Sequence, residues 1–274
     1  MKKPRGVLIA GNWKMNLLKR ETESFFSELS SKLSNQLPAL KPEFASQTLQ
    51  AALFPATFSL EIAKTCAAKL PLPISIGAQN VHWAKSGAFT GEISGPMLLE
   101  LGLKLSLVGH SERRQYFGET DETALKRTQS LLEQEIRVIL CVGETRAERE
   151  GGKTKAVLTQ QLNAVLGVSG SAVSAYLDGR LIIAYEPVWA IGTGLTASPE
   201  QAEEAHQLIR KLIWDGFGMQ AAGKTMLLYG GSVTPENIDS LLACPNVDGA
   251  LVGGASLKPE GFAALLLASH RAIH

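Results

Sequence analysis

Short apolar runs recur along the 274-residue chain at a near-regular interval: Val7–Ala10, Ala51–Phe54, Ile74–Ile76, Ser106–Val108, Val138–Val142, Leu181–Tyr185, Met226–Tyr229 and Ala250–Val252. They are continuous rather than alternating with polar residues, the pattern of strands covered on both faces in a parallel sheet. The stretches between them carry a longer period. Phe25, Leu29 and Leu33 return every fourth residue and so share one helix face. Ala202, Ala205, Ile209, Leu212 and Ile213 follow Ser198-Pro199-Glu200-Gln201 in the same way. That start reads as a capping box with proline at the first helical position, where its missing N–H costs nothing. Thr234-Pro235-Glu236 opens a further helix similarly, whereas Leu37–Glu43 and Gly167–Ser174 read as loose loops.

Eight strand signals separated by helical ones predict repeated right-handed βα units. No Pro/Gly/Ser-rich linker divides them, so residues 1–274 are expected to form one domain. The polar and glycine-rich motifs all follow strands, and a barrel builds its site at that end. The expected fold is therefore α/β, a single-domain (β/α)8 barrel with eight parallel strands and outer helices, rather than a doubly wound sheet.

Composition narrows the function. Lys and Arg number 27 against 26 Asp and Glu, a net charge of +1, which offers no basic footprint for nucleic acid and no polybasic membrane patch. Cys66, Cys141 and Cys244 stand far apart without Cys-x-x-Cys spacing, as in a reducing compartment. Lys2, Lys3 and Arg5 precede only a short apolar run, and no later segment approaches a membrane span. A cytoplasmic protein is expected.

The chemistry is densest in the segment from Leu181 to Gly194, where an apolar strand ends in Glu186 and a proline-started apolar loop runs into Gly192-Thr193-Gly194. These are the parts of a general base under a movable cover, and burial would raise the carboxyl's pKa toward the working pH. Alone, the segment also fits a strand, a turn and a surface glutamate. After the first strand, Gly11-Asn12-Trp13-Lys14-Met15-Asn16 offers Lys14 as a fixed positive charge for an anionic substrate, or else as a plain solvated lysine. After the fourth, Gly109-His110-Ser111-Glu112-Arg113-Arg114 offers a histidine kept neutral by a following helix N-terminus, or a structural histidine within an ion-pair cluster. After the last two, Tyr229-Gly230-Gly231-Ser232-Val233 and Leu251-Val252-Gly253-Gly254-Ala255-Ser256 offer backbone N–H groups that could cradle a phosphate. His82, His110, His206 and His270 read as isolated, with no His-x-x-x-His or carboxylate pattern, so no metal is expected. No Gly-x-Gly-x-x-Gly follows the first strand, so no dinucleotide cofactor is expected either.

Taken in order, these motifs, together with Gly77-Ala78-Gln79-Asn80, Gly87-Ala88-Phe89-Thr90-Gly91-Glu92 and Cys141-Val142-Gly143-Glu144, resemble the triosephosphate isomerase family from Gly11 to about Glu260. The resemblance implies a TIM barrel that interconverts dihydroxyacetone phosphate and glyceraldehyde 3-phosphate in glycolysis and gluconeogenesis, without metal or cofactor. It implies Glu186 as base, His110 as neutral electrophile, Lys14 and Asn12 as substrate-orienting groups, Glu112 as a supporting carboxylate, and Gly192, Ser232, Gly253 and Gly254 as the phosphate grip. The family is itself the standard illustration of a glutamate base paired with a neutral histidine. Pro187–Thr196 would be the closing loop, in which Leu195 stands where lysine is common. The run Gly77–Ile93 would plug into a second copy, with Thr90 bracing the neighbouring site, which implies a homodimer. A different phosphate-binding barrel enzyme would need a lysine deep on a later strand or a second carboxylate at a strand end, and neither is evident. A catalytically silent binding barrel would be expected to have lost Glu186, His110 or Lys14.

Overall fold

The computed structural model describes residues 4–166, 177, 179–190 and 197–274. Every predicted apolar run becomes a strand, its ends shifted by at most two residues: β1 (Val7–Asn12), β2 (Leu49–Phe54), β3 (Ile74–Ile76), β4 (Leu105–Val108), β5 (Arg137–Val142), β6 (Leu181–Tyr185), β7 (Leu227–Tyr229) and β8 (Gly249–Val252). They pair in the order β3-β2-β1-β8-β7-β6-β5-β4, all in parallel. One residue beyond β3 joins the two ends of this sheet. Ala78 bridges to Ser106, donating its N–H to the Leu105 carbonyl at 3.0 Å and accepting from the Leu107 N–H at 2.8 Å. The result is a barrel.

Closure explains the continuous apolar runs, because alternate side chains enter two different cores. Leu8, Ala10, Phe54, Leu107, Ile139, Ile182, Ala184 and Leu228 belong to the barrel interior. Val7, Ile9, Leu53, Val108, Ile183 and Leu227 pack outward beneath the helices. Those helices are α1 (Lys19–Leu33), α2 (Leu37–Ala45), α3 (Leu60–Ala67), α4 (Gly95–Glu100), α5 (Ser111–Tyr116), α6 (Asp121–Glu133), α7 (Arg146–Glu150), α8 (Thr154–Leu166), α9 (Pro199–Lys224), α10 (Ile238–Ala243) and α11 (Pro259–Ile273). α1 buries Phe25, Leu29 and Leu33, as their spacing requires. α9 opens on the predicted capping box: Ser198 Oγ accepts the Gln201 N–H at 3.2 Å and Gln201 Oε1 accepts the Ser198 N–H at 3.0 Å.

Two local expectations need correction. Leu37–Glu43 is not a loose loop but most of α2, which buries Leu40, Glu43 and Phe44. Pro38 lies in its first turn, where no N–H is needed, and burial of the apolar stripe outweighs the internal Pro42. Thr234-Pro235-Glu236 forms a turn ahead of α10, with the Thr234 carbonyl accepting from Asn237 and Ile238, and the helix proper begins at Ile238. Gly167–Ser174 lies outside the described residues. Among the described residues no helix is long and apolar enough to cross a membrane.

Candidate active site

The alternation that places Ile182 and Ala184 inside the barrel also sends the next residue of that parity, Glu186, over its axis. Room for it comes from two neighbours without side chains. A Cβ on Gly143 would collide with the Glu186 carbonyl oxygen, and one on Gly230 would lie 2.9 Å from Glu186 Cγ. Glu186 is 2% exposed, with Oε2 accepting the Ser111 N–H at 2.9 Å and Oε1 lying 3.0 Å from His110 Nε2. Cys141, also inside the barrel, is fully buried beside it, and burial raises its thiol pKa well above the ordinary value.

His110 caps α5. Its Nδ1 accepts the Glu112 N–H at 3.2 Å, so the single proton of a neutral ring sits on Nε2 and faces Glu186. A second proton would have to displace that N–H. Desolvation alone would lift the glutamate's pKa, as expected from the sequence, and depress the histidine's, whose neutrality was expected from the helix N-terminus instead. The structure reverses both directions. Burial raises Glu186, but the His110 charge and hydrogen bond, the Ser111 N–H and the Lys14 charge together pull it below 4.5. Burial lowers His110, but the Glu186 carboxylate facing it raises it further. Two groups that desolvation would neutralise separately each favour the other's charged form.

Asn12 ends β1 with the inward parity of Leu8 and Ala10 and is 5% exposed. Its Oδ1 accepts the Lys14 N–H at 3.0 Å. Lys14 has φ +53°, a left-handed conformation costly for a residue with a Cβ. That hydrogen bond and the Gln79 Nε2 donation to its carbonyl at 2.7 Å hold it there. Lys14 Nζ pairs with Glu112 Oε1 at 2.6 Å, so Glu112 supports the lysine. The two arginines of the same motif turn out to be structural. Arg113 binds Glu119, which accepts the Gly109 N–H, while Arg114 donates to the Gly109 carbonyl and to Asp121.

A cavity of about 420 Å³ is lined by Asn12, Lys14, His110 and Glu186 together with Gly230, Gly231, Ser232, Gly253 and Gly254. Lys14 Cε lies 3.7 Å from where a Gly253 Cβ would be, so the cation rests against the glycine cradle. Ser232 Oγ donates to the Ala190 carbonyl at 2.9 Å, tying the cradle to the segment after β6. The sequence-predicted residues thus meet in one place, except Glu112, which reaches it through Lys14. Gly192 and Leu195 lie outside the described residues.

Glu144, visible in the sequence only as part of a motif, emerges as a hub. It is fully buried, and its Oε1 accepts from Tyr185 Oη at 2.9 Å, Trp189 Nε1 at 3.2 Å and Arg149 Nη1 at 3.2 Å. It anchors the first residues after Glu186 to the end of β5. The signal was a carboxylate just past a strand, with a tyrosine and a tryptophan flanking Glu186. Their convergence depends on strand pairing that spacing does not reveal. Glu144→Gln is expected to destabilise the fold by about 2 kcal/mol, because charge-assisted bonds become neutral and Arg149 loses its counter-charge. Urea unfolding checks this, and an unchanged midpoint would refute it. The expectation that the histidines stand isolated is also corrected. His110 faces Glu186, and His274, one helical turn beyond His270, completes a His-x-x-x-His pair close to Glu43.

Fold and site together define a barrel of parallel strands with a buried carboxylate–imidazole pair in a glycine-lined cavity, the arrangement of a barrel enzyme. The family model for triosephosphate isomerase matches residues 7–269. The chain is 46% identical to the triosephosphate isomerase of Solibacter usitatus over 97% of its length and 99% of that protein's. It is 47% identical to that of Thermus thermophilus over 96% and 98%, and 46% identical to that of Carboxydothermus hydrogenoformans over 98% and 100%. The chain belongs to the triosephosphate isomerase family.

Proposed function

We infer that this chain interconverts dihydroxyacetone phosphate and D-glyceraldehyde 3-phosphate, and propose that Glu186 carries the proton. The observation behind the assignment is a buried carboxylate 3.0 Å from an imidazole Nε2, in a cavity that a glycine cradle also lines. The substrate phosphate sits against the backbone N–H groups of Ser232, Gly253 and Gly254, with Gly192 contributing from the closing loop. Glu186 takes a proton from the carbon beside the carbonyl and returns it to the neighbouring carbon. His110 Nε2–H donates to the oxygens of the intervening enediolate, giving its proton to the former carbonyl oxygen and taking back the one on the former hydroxyl, so that carbonyl and alcohol exchange places. The Lys14 ammonium and Asn12 stabilise the added negative charge. The steps balance with the protein's own acid and base.

Both Glu186 oxygens are already engaged, so the base must leave the Ser111 N–H and His110 to reach carbon. Leaving them removes the interactions that depress its pKa, while burial remains. The carboxylate becomes a stronger base as it approaches the substrate. A closing loop over residues 187–196, the kind of cover for which this family is itself an example, would keep water from the enediolate.

A coupled assay supplying glyceraldehyde 3-phosphate and detecting the ketose through a reductase tests the reaction, and absence of turnover would end it. Lys14→Ala is expected to lower kcat/KM by roughly 10²–10³-fold, the usual effect of losing one transition-state charge partner. Unchanged kinetics would remove Lys14 from the mechanism.

A homodimer completes the reading. The tip of the 77–93 loop is exposed around Thr90, Phe89 is 43% exposed there, and Met15 beside Lys14 is 94% exposed. Apolar side chains so placed suit burial against a second copy. A cytoplasmic location fits the sparse cysteines Cys66, Cys141 and Cys244, which lack Cys-x-x-Cys spacing.

A further inference from the structure

We propose that Glu43, His270 and His274 bind a divalent transition-metal ion, of which zinc is the type, and that this ion staples α11 to α2. His270 and His274 are four residues apart at the end of α11, so both imidazoles overlie one helix face, their ring centroids 4.8 Å apart. Glu43 of α2 faces them. Its Oε1 lies 2.6 Å from His274 Nε2 and 3.5 Å from His270 Nδ1, and one ligand atom from each residue falls within 4.8 Å of the others.

Two imidazoles and a carboxylate suit zinc, cobalt or nickel rather than magnesium or calcium, which take oxygen donors. Tetrahedral zinc with bonds near 2.1 Å holds its ligand atoms roughly 3.3 Å apart, so only small rotations separate this arrangement from a bound geometry. The protein's own contacts leave the set unfinished. Glu43, with its side chain only 9% exposed, keeps Oε2 buried without a hydrogen-bond partner, and His270 Nδ1 likewise has none. A simple His274–Glu43 ion pair accounts for neither. The negative end of the α11 dipole favours a cation at this position. His274 is exposed on the outer side, which gives the ion an entry path and a water a fourth coordination position.

The proposal rests on a face remote from the residues of the proposed reaction, so its test reads separately from catalysis. Chelator-treated full-length protein is titrated with Zn²⁺ by calorimetry near neutral pH. The expected result is one ion per chain and a Tm raised by about 5–10 °C at roughly 100-fold excess over Kd. His274→Ala and His270→Ala should each weaken binding by roughly 100-fold, about one ligand's share of such a site, and the double variant should abolish it. Turnover and the circular dichroism spectrum should match the parent protein in every variant. Co²⁺ should give the visible bands of a tetrahedral nitrogen and oxygen set. No saturable binding, binding unchanged in the double variant, or thiolate charge-transfer bands would each overturn the assignment.

Discussion

Replacing Glu186 with glutamine is expected to lower kcat by roughly 10³-fold while leaving KM nearly unchanged. The amide keeps the shape of the side chain but cannot accept a proton from carbon, and a positioned general base contributes on the order of 10²–10⁴-fold. The proposed cradle of Ser232, Gly253 and Gly254 is untouched, so ground-state binding of the phosphate persists and the loss falls on the chemical step. A second signature follows from the reversed pKa directions. Burial lowers the His110 pKa and the Glu186 carboxylate raises it beyond that, so removing the charge should move His110 downward. Nitrogen-detected NMR titration of the imidazole reads this directly. A variant that keeps kcat within about tenfold of the parent would exclude Glu186 as the base. A His110 pKa that stays put would show that the pair is not coupled as drawn.

Substituting residues 79–91 with a short linker, which leaves the Ala78 bridge in place, is expected to yield a monomer whose kcat is reduced by roughly 100-fold. Gln79, on this segment, donates to the Lys14 carbonyl at 2.7 Å and the Phe54 carbonyl at 2.9 Å, helping to hold Lys14 in its left-handed conformation. Removing the segment relaxes that strain within the subunit and, on the proposed dimer, withdraws Thr90 from the neighbouring site. A displacement near 1 Å of a catalytic group costs about 10²-fold. The two contributions separate when Gln79 is left in place and only the tip, residues 85–91, is shortened. Light scattering gives the mass, and the coupled assay gives the rate. A fully active monomer from both versions would discard cross-subunit bracing.

The strands were legible because closure buries both faces, and such strands announce themselves as unbroken apolar runs. Glu186 was legible as the carboxylate ending an apolar run, but its inward direction follows only from the structure, which puts Ile182 and Ala184 inside the barrel. What could not be read was whatever depends on which strand lies beside which. The Glu144 hub needs the β5–β6 pairing, the clearance at Gly143 needs the same register, and the Glu43 cluster needs α2 packed against α11. Nor could the sequence give the direction of the Glu186 and His110 pKa values, since spacing supplies their burial but not their 3.0 Å approach. Proline misled at α2, because its local preference is weaker than the burial of Leu40 and Phe44.

Neighbouring strands β1 and β2 are matched at six positions, whereas two seams rest on one matched pair each: Ala78–Ser106 between the ends of the sheet, and Tyr229–Ala250 between β7 and β8, the latter reinforced by Asp248, whose N–H donates to the Leu227 carbonyl at 2.7 Å and whose Oδ2 accepts the Leu227 N–H at 3.0 Å. Under stress the ring should part first at the unreinforced Ala78 seam, and amide exchange at Ala78 and Leu107 should outpace that of Ile9 and Ala10. A parted ring bares two lengths of unsatisfied backbone, the kind of edge on which chains nucleate aggregates. Heat inactivation of this protein should therefore begin as a torn seam rather than as a melted core.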